Sequence, residues 1–423
     1  MSLLLNSVTV SDTTSKYFNS KVNILIDSKG YVKKISKNKI SDKVKKVVDL
    51  EGLYISESWF DFNANFCDPG YEYKEDLKSG VNLAINSGFL DVLITPNTNP
   101  IIQTKADVSY IQEKSSNNFC KIHPSAAISK NFNGKDLNDI IDLNNSGVKA
   151  FTNSYSSKES SEMIMNSLLY LKQIDSLLIS KPQDKSFSQG VVNDGYFGNS
   201  IGLKGIPSIS ESIAVKRDLS ILDYVGGKIH FTGISTKESV SLIREAKKNN
   251  LNVTCDVPIH NLILDDSNIV DFDTNYKVNP PLRNTEDIDE LIKGIKDGTI
   301  DIISSHHEPQ DIDSKNCEFD KAKFGIISIQ TFFSNIVQLS RKIPLETLIK
   351  LFSSNPKERL GIKRNDISEG SEASFTIFDP EGSWDFNSKS NLSKSSNSPW
   401  FNWSFKGKVI AIVKGSRIKE MPK

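Results

Sequence analysis

The sequence predicts an α/β fold: a TIM-type (β/α)8 barrel with a small β-sandwich domain formed by both termini. Three observations carry this. Apolar, strand-like runs alternate with amphipathic helical stretches through the middle of the chain, the pattern of repeated βα units. Both ends instead show period-2 apolarity broken by glycine turns, the pattern of β-hairpins. At 423 residues the chain is long enough for a closed barrel and an appended small domain to form one unit.

Taken in order, residues 4–10 and 22–26 alternate, and Ser28, Lys29 and Gly30 form a turn into residues 31–35. Residues 1–54 are therefore read as the N-terminal part of the β-domain. The mostly apolar run 53–60 reads as a buried strand opening into a loop at Asp68, Pro69 and Gly70. Further strands are expected at residues 90–94, 148–151, 176–179, 228–231, 252–254 and 299–303. Ile164, Leu168 and Leu171 mark one helical face. Ile288, Leu291, Ile292 and Ile295 mark another, behind a capping start at Asn284 with Glu286 and Asp287 in the first turn. Most of these strands end in polar clusters, where a parallel barrel gathers its site, and residues 55–362 are read as the barrel. Residues 363–423 return to hairpin texture at 373–378 and 407–415 and complete the β-domain. The Ser/Asn-rich stretch 388–398 is expected to be a surface loop.

The 52 basic residues balance the 52 acidic ones, so no global field favours nucleic acid or a membrane surface. Cys67, Cys120, Cys255 and Cys317 lie far apart without C-x-x-C spacing. That argues against a thiolate zinc site or a disulfide framework and fits a reducing cytoplasm. No apolar run approaches the roughly 20 residues that span a bilayer.

The stretch 61–76 reads Asp-Phe-Asn-Ala-Asn-Phe-Cys-Asp-Pro-Gly-Tyr-Glu-Tyr-Lys-Glu-Asp. Side chains two apart on a strand share a face, so Asn63 and Asn65 are expected to point together into the barrel mouth. The stretch resembles the first motif of the dihydroorotase family of cyclic amidohydrolases, where His-x-His-x-Arg precedes Glu/Asp-Pro-Gly. The resemblance continues through Thr95-Pro96-Asn97-Thr98-Asn99-Pro100, Val192-Asn193-Asp194-Gly195, Ser235-Thr236-Lys237-Glu238-Ser239, the string 275–283 (Asn-Tyr-Lys-Val-Asn-Pro-Pro-Leu-Arg) and Phe324-Gly325-Ile326.

The resemblance implies a barrel of the amidohydrolase superfamily, and it also implies where a metal should sit. At the family's metal-ligand positions this chain carries Asn63, Asn65, Ser154, Lys181, Gly233 and His306, the last at the position of the catalytic base. Gln310 stands for a substrate-binding His, and Cys67 for a carboxylate-binding Arg. By resemblance the substrate-contacting positions are Asn97, Asn279, Phe324 and Gly325, although Asn-Thr-Asn-Pro and Asn-Pro-Pro also serve as turn formers. Cys67 reads as a small buried filler, since no His is placed to activate it.

Magnitude decides the chemical reading. Zinc lowers the pKa of bound water from 15.7 to about 7, on the order of 10 kcal/mol of activation. One positioned base supplies about 10²- to 10⁴-fold, roughly 3 to 5.5 kcal/mol. Asn is a poor zinc ligand, Lys181 brings a like charge, and Gly233 offers nothing. His306 and His307 are adjacent and would point to opposite faces of an extended strand, while His230 and His260 belong to separate strand ends. No cofactor is expected, with zinc only if the site is rebuilt. Lys181 is expected to take the cation's volume and donate to Asn63, Asn65 or Ser154.

The leading expectation is therefore a metal-free, non-catalytic dihydroorotase-like protein of pyrimidine biosynthesis. By resemblance it would partner aspartate transcarbamoylase and form homo-oligomers. The rivals are an active dihydroorotase or other cyclic-amide hydrolase with an atypical site, and a sensor of a pyrimidine-like ligand.

Overall fold

The alternation of apolar runs with helices closes a barrel in the computed structural model, which describes residues 2–116, 118–153, 160–269 and 271–422. The first five strands are Leu3–Val10 (β1), Lys21–Ile26 (β2), Val32–Ser36 (β3), Lys46–Asp49 (β4) and Tyr54–Glu57 (β5). The barrel follows with Trp59–Ala64 (β6), Phe89–Ile94 (β7), Lys121–Pro124 (β8), Ala126–Ala127 (β9), Ala150–Thr152 (β10) and Leu177–Ser180 (β11). A short pair, Val192–Asn193 (β12) and Gly205–Ile206 (β13), precedes Ile229–Phe231 (β14), Val253–Pro258 (β15) and Ile302–Ser304 (β16). Ser374–Phe386 (β17), Trp403–Lys414 (β18) and Arg417–Glu420 (β19) end the chain.

The barrel strands pair in parallel as β6-β7-β8 and β9-β10-β11-β14-β15-β16, with only Ser125 between β8 and β9. The ring closes where Ala64 bridges His307 and the Asn65 amide donates to the His307 carbonyl at 2.8 Å. Phe60, Phe62, Leu93, Leu177, Ile179 and Ile302 fill the interior, so the barrel is a packed core rather than a pore. The helix Thr285–Lys296 starts where expected, the Asn284 side chain accepting from the Asp287 amide. The helix Ser161–Gln173 buries Ile164, Leu168 and Leu171.

Both termini share one sheet, ordered β19-β18-β17-β5-β1-β2-β3 with β4 on β1. Two corrections follow from its pairing. The run 53–60 is two strands: β5 pairs with β17 in the terminal sheet, and the barrel begins only at Trp59, so the division falls at Ser58 rather than between 54 and 55. The apolar run 299–303 yields a strand only from Ile302, because the Ile300 amide still bonds back to the Gly294 carbonyl of the preceding helix, at 2.9 Å.

The segment 388–398 is the expected loop, exposed at Lys389, Lys394 and Ser396, and the correction concerns only its end. Ser395, Asn397 and Ser398 are buried, since this segment lies across the barrel mouth. Asn397 Nδ2 donates to the Glu308 carbonyl, its Oδ1 accepts from the Gln310 amide, and its carbonyl accepts from Ile327, each at 3.0 Å. A polar stretch is buried here because its amides and hydroxyls match unpaired loop carbonyls and amides. Among the described residues no helix is long and apolar enough to cross a membrane.

Candidate functional site

The C-terminal ends of the barrel strands converge on Asp256, near the end of β15 and 0% exposed. Its Oδ1 accepts from His306 Nε2 (2.8 Å), Ser304 Oγ (2.9 Å) and the Gly233 amide (3.1 Å), and its Oδ2 accepts from His230 Nε2 (2.9 Å). A carboxylate only accepts, so both imidazoles carry their proton on Nε2. Burial alone would raise the Asp256 carboxyl, but the charge and hydrogen bonds of His306 and His230 outweigh it and hold the group well below the usual carboxylate range. Burial lowers His230, opposed by its hydrogen bond to Asp256 and the charge there, and its Nδ1 pairs with Thr254 Oγ1 2.8 Å away.

Asn63 projects into the same cluster from β6. Its Nδ2 donates to Thr232 Oγ1 at 2.8 Å and stands 3.5 Å from His306 Nε2. Asn65 does not join it. The strand ends at Ala64, and Asn65 Oδ1 turns back to accept from the Cys67 amide at 2.8 Å, an Asx turn. The expected pairing of the two side chains thus fails because the local turn competes for the second one. Cys67 has φ +59° and is buried, and burial pushes its thiol up to about 12, as suits an inert filler.

His306 and His307 do point apart, though not by strand alternation. His306 takes a left-handed φ of +48°, which throws its ring into the mouth, while His307 is buried beside Glu75 and accepts at Nδ1 from the Ser328 amide. Gly233, φ +76°, makes room for that ring: a β-carbon there would lie 3.1 Å from His306 Cε1 and 3.2 Å from Pro280 Cδ. Gly233→Ala should therefore lower stability by about 1 to 2 kcal/mol. Gly298→Ala, where only the backbone angle is strained, should lose less; urea denaturation of the two variants checks the difference.

Burial lowers the Lys181 ammonium, opposed by Glu308 and Asp256. On Asn63 the expected acceptor is Oδ1, since its Nδ2 donates to Thr232 Oγ1. Ser154 lies outside the described residues.

The positions expected to contact substrate are largely engaged within the protein. Asn279 Nδ2 donates to Gln183 Oε1 (3.2 Å), the Phe324 carbonyl accepts from Gln310 Nε2 (2.8 Å), and the Gly325 amide donates to the Lys277 carbonyl (3.0 Å). Lys74 Nζ holds the other end of Gln310 at 2.9 Å. Asn97 differs, its buried Oδ1 lacking a partner among the described residues. The cavity bordered by Lys181, Gly233 and Asn279 measures about 10 Å³, and so does the one bordered by Asn63, Thr95 and Thr232. Each is about the size of one water. A larger space of about 500 Å³ lies to one side, between Phe272 and Lys315, and touches the mouth only at Gln310 and Asn397.

Asp256, Thr232 and Thr254 escaped the sequence reading. The available signal was a lone acid inside the buried run Cys255-Asp256-Val257-Pro258. The strings 193–195, 235–239 and 275–283 have a structural role here. Buried Arg283 donates to Asn193 Oδ1 (2.8 Å), the Ile206 carbonyl (2.7 Å) and Ser235 Oγ (3.1 Å), while Glu211 accepts from the amides and hydroxyls of Ser235 and Thr236.

Asp61, beneath Asn63, accepts from the Ser305 amide and hydroxyl, yet burial pushes it up to about 6. Its folded value lies above that of an unfolded Asp, about 3.9. Its favourable contribution is therefore fully present below about pH 4 and is lost as pH rises through about 6. Asp61→Asn should lose less stability than the parent between pH 4 and 7, by about 2 to 3 kcal/mol, as read from denaturation midpoints.

A parallel barrel of eight strands, with β8 and β9 counted as one strand broken at Ser125, carrying a sheet from both termini and its polar cluster at the strand C-termini, defines the class as an amidohydrolase-superfamily barrel. The L-hydantoinase (dihydropyrimidinase) from Arthrobacter aurescens superposes with a TM-score of 0.88 over 99% of this chain and 96% of that one, at 15% identity. The dihydropyrimidinase from Brevibacillus agri gives 0.85 over 100% and 95%, at 18% identity. A family model described as dihydro-orotase-like matches residues 56–239. The dihydroorotase of Trichlorobacter lovleyi is 34% identical over 422 residues, 99% of each chain, and that of Carboxydothermus hydrogenoformans is 36% identical over 398 residues, 93% of this chain and 92% of its own. This chain belongs to the dihydroorotase family.

Proposed function

We propose that this chain is a metal-free, non-catalytic member of its family that serves pyrimidine biosynthesis as a structural or regulatory partner of aspartate transcarbamoylase. The observation that carries the reading is the state of Asp256 and His306. The carboxylate accepts from four protein donors, and the imidazole nitrogen facing Asn63 is one of them, so the strongest donor groups in the mouth already bind each other. The remaining groups do not fit zinc: Asn63 offers an amide, Asn65 is turned onto its own backbone, Lys181 offers an amine, and Gly233 has no side chain. Among the described residues no three His, Cys, Asp or Glu side chains are grouped so as to hold a metal ion. The water-sized cavities point the same way, since small-molecule pockets usually enclose roughly 300 to 1,000 Å³.

One experiment separates this reading from its rival, an active dihydroorotase, which the full-length likeness to proteins of that name favours. Protein purified without chelator is analysed for zinc, assayed for ring opening of dihydroorotate, and added to aspartate transcarbamoylase. Sub-stoichiometric zinc, no turnover and an altered transcarbamoylase rate are expected. Stoichiometric zinc with turnover would establish the rival.

A further inference from the structure

A cavity of about 490 Å³ opens at the other end of the barrel, where β8 and β10 begin. Its rim is basic. Lys121 opens β8, Lys149 immediately precedes β10, and Lys414 reaches in from the terminal sheet, while among the described residues no Asp or Glu lines the space. In a chain with equal numbers of acids and bases, this is a local excess rather than a general trend. Lys414 is held in place, its Nζ donating to the Phe119 carbonyl at 2.8 Å and the Asn118 carbonyl at 3.3 Å, which leaves one of its three N–H groups for a ligand. Lys121 and Lys149 have no carboxylate partner among the described residues. Asp91, opposite Lys121 in the strand register, is engaged by His123 Nε2 at 2.8 Å. Ile362 and Pro124 make part of the lining apolar.

Three ammonium groups around one concavity repel one another and attract an anion, and a low-dielectric wall strengthens both effects. The volume exceeds what a bare phosphate needs and falls within the range of small-molecule sites. We propose that this cavity binds a small organic phosphate: the phosphoryl group meets Lys121, Lys149 and Lys414, and a flat apolar body lies against Ile362 and Pro124. The site is remote from Asp256, so it stands or falls independently of the metal-free reading.

Calorimetric titration of the full chain at low salt with phenyl phosphate, inorganic phosphate and phenol tests it. Phenyl phosphate should bind more tightly than either of the others. The exposed-site variant K121Q/K149Q should weaken it at least tenfold, while K43Q/K216Q, which removes the same charge elsewhere on the surface, should leave it unchanged. No binding by the parent, equal binding by K121Q/K149Q, or phenyl phosphate no tighter than inorganic phosphate would each overturn the assignment.

Discussion

Asp256→Ala is expected to lower the unfolding free energy by about 3 to 5 kcal/mol, measured by urea denaturation at pH 7. The carboxylate is the one acceptor shared by His306, His230, Ser304 and Gly233, and these come from the ends of two strands, β14 and β16, on either side of its own. Removing it strands buried donors, each worth about 1 to 3 kcal/mol when unsatisfied. The relief of burying one charge fewer offsets part of that loss. Asp256→Asn should fall between, because an amide keeps one accepting oxygen but presents its own N–H groups to the second imidazole. Since the folded group is held well below its unfolded value, its contribution is fully present above about pH 4 and declines on acidification, so the gap between parent and variant should narrow there. His306→Ala combined with Asp256→Ala should cost less than the two separately, which is the mark of a shared interaction. A fully stable Asp256→Ala protein would show that the cluster does not brace the mouth.

Lys357→Ala should be comparably severe, about 3 to 5 kcal/mol by the same measurement. Lys357 is 1% exposed, and its Nζ donates to Glu57 Oε1, the Ser58 carbonyl and Ser58 Oγ, each at 2.9 Å. Glu57 is 2% exposed and also meets Arg364 Nε at 3.3 Å and the Asn365 amide at 3.2 Å. The network sits at Ser58, where the terminal sheet hands the chain to the barrel, so losing the ammonium leaves a buried carboxylate under-compensated at the joint. Pairing Lys357→Met with Glu57→Gln should recover much of the loss, because neither charge is then left alone. A loss under about 1 kcal/mol for Lys357→Ala would mean that water or Arg364 takes over.

Periodicity made the elements legible wherever one face was buried. The helix from Thr285 and the hairpins of β1 to β3 could be located because apolar residues recur at the spacing of a helix or strand. The strands β8 and β9 were missed, being short and separated at Ser125. The segment 388–398 is a loop as expected, but the burial of Ser395, Asn397 and Ser398 was not legible, because polar composition reports affinity for water and is silent on whether matching protein partners exist.

The sequence alone determined the barrel, the shared terminal sheet, the family, and the substitution of amides, a lysine and a glycine at the positions that surround the mouth. Those follow from local pattern and residue identity. Only the tertiary structure decided that Asn65 leaves the mouth, that His306 enters it through a left-handed backbone, and that Asp256 joins His230 to His306. Those partners lie up to 50 residues apart in the chain and meet only when the ring of strands closes, and burial then makes each hydrogen bond costly to leave unmade.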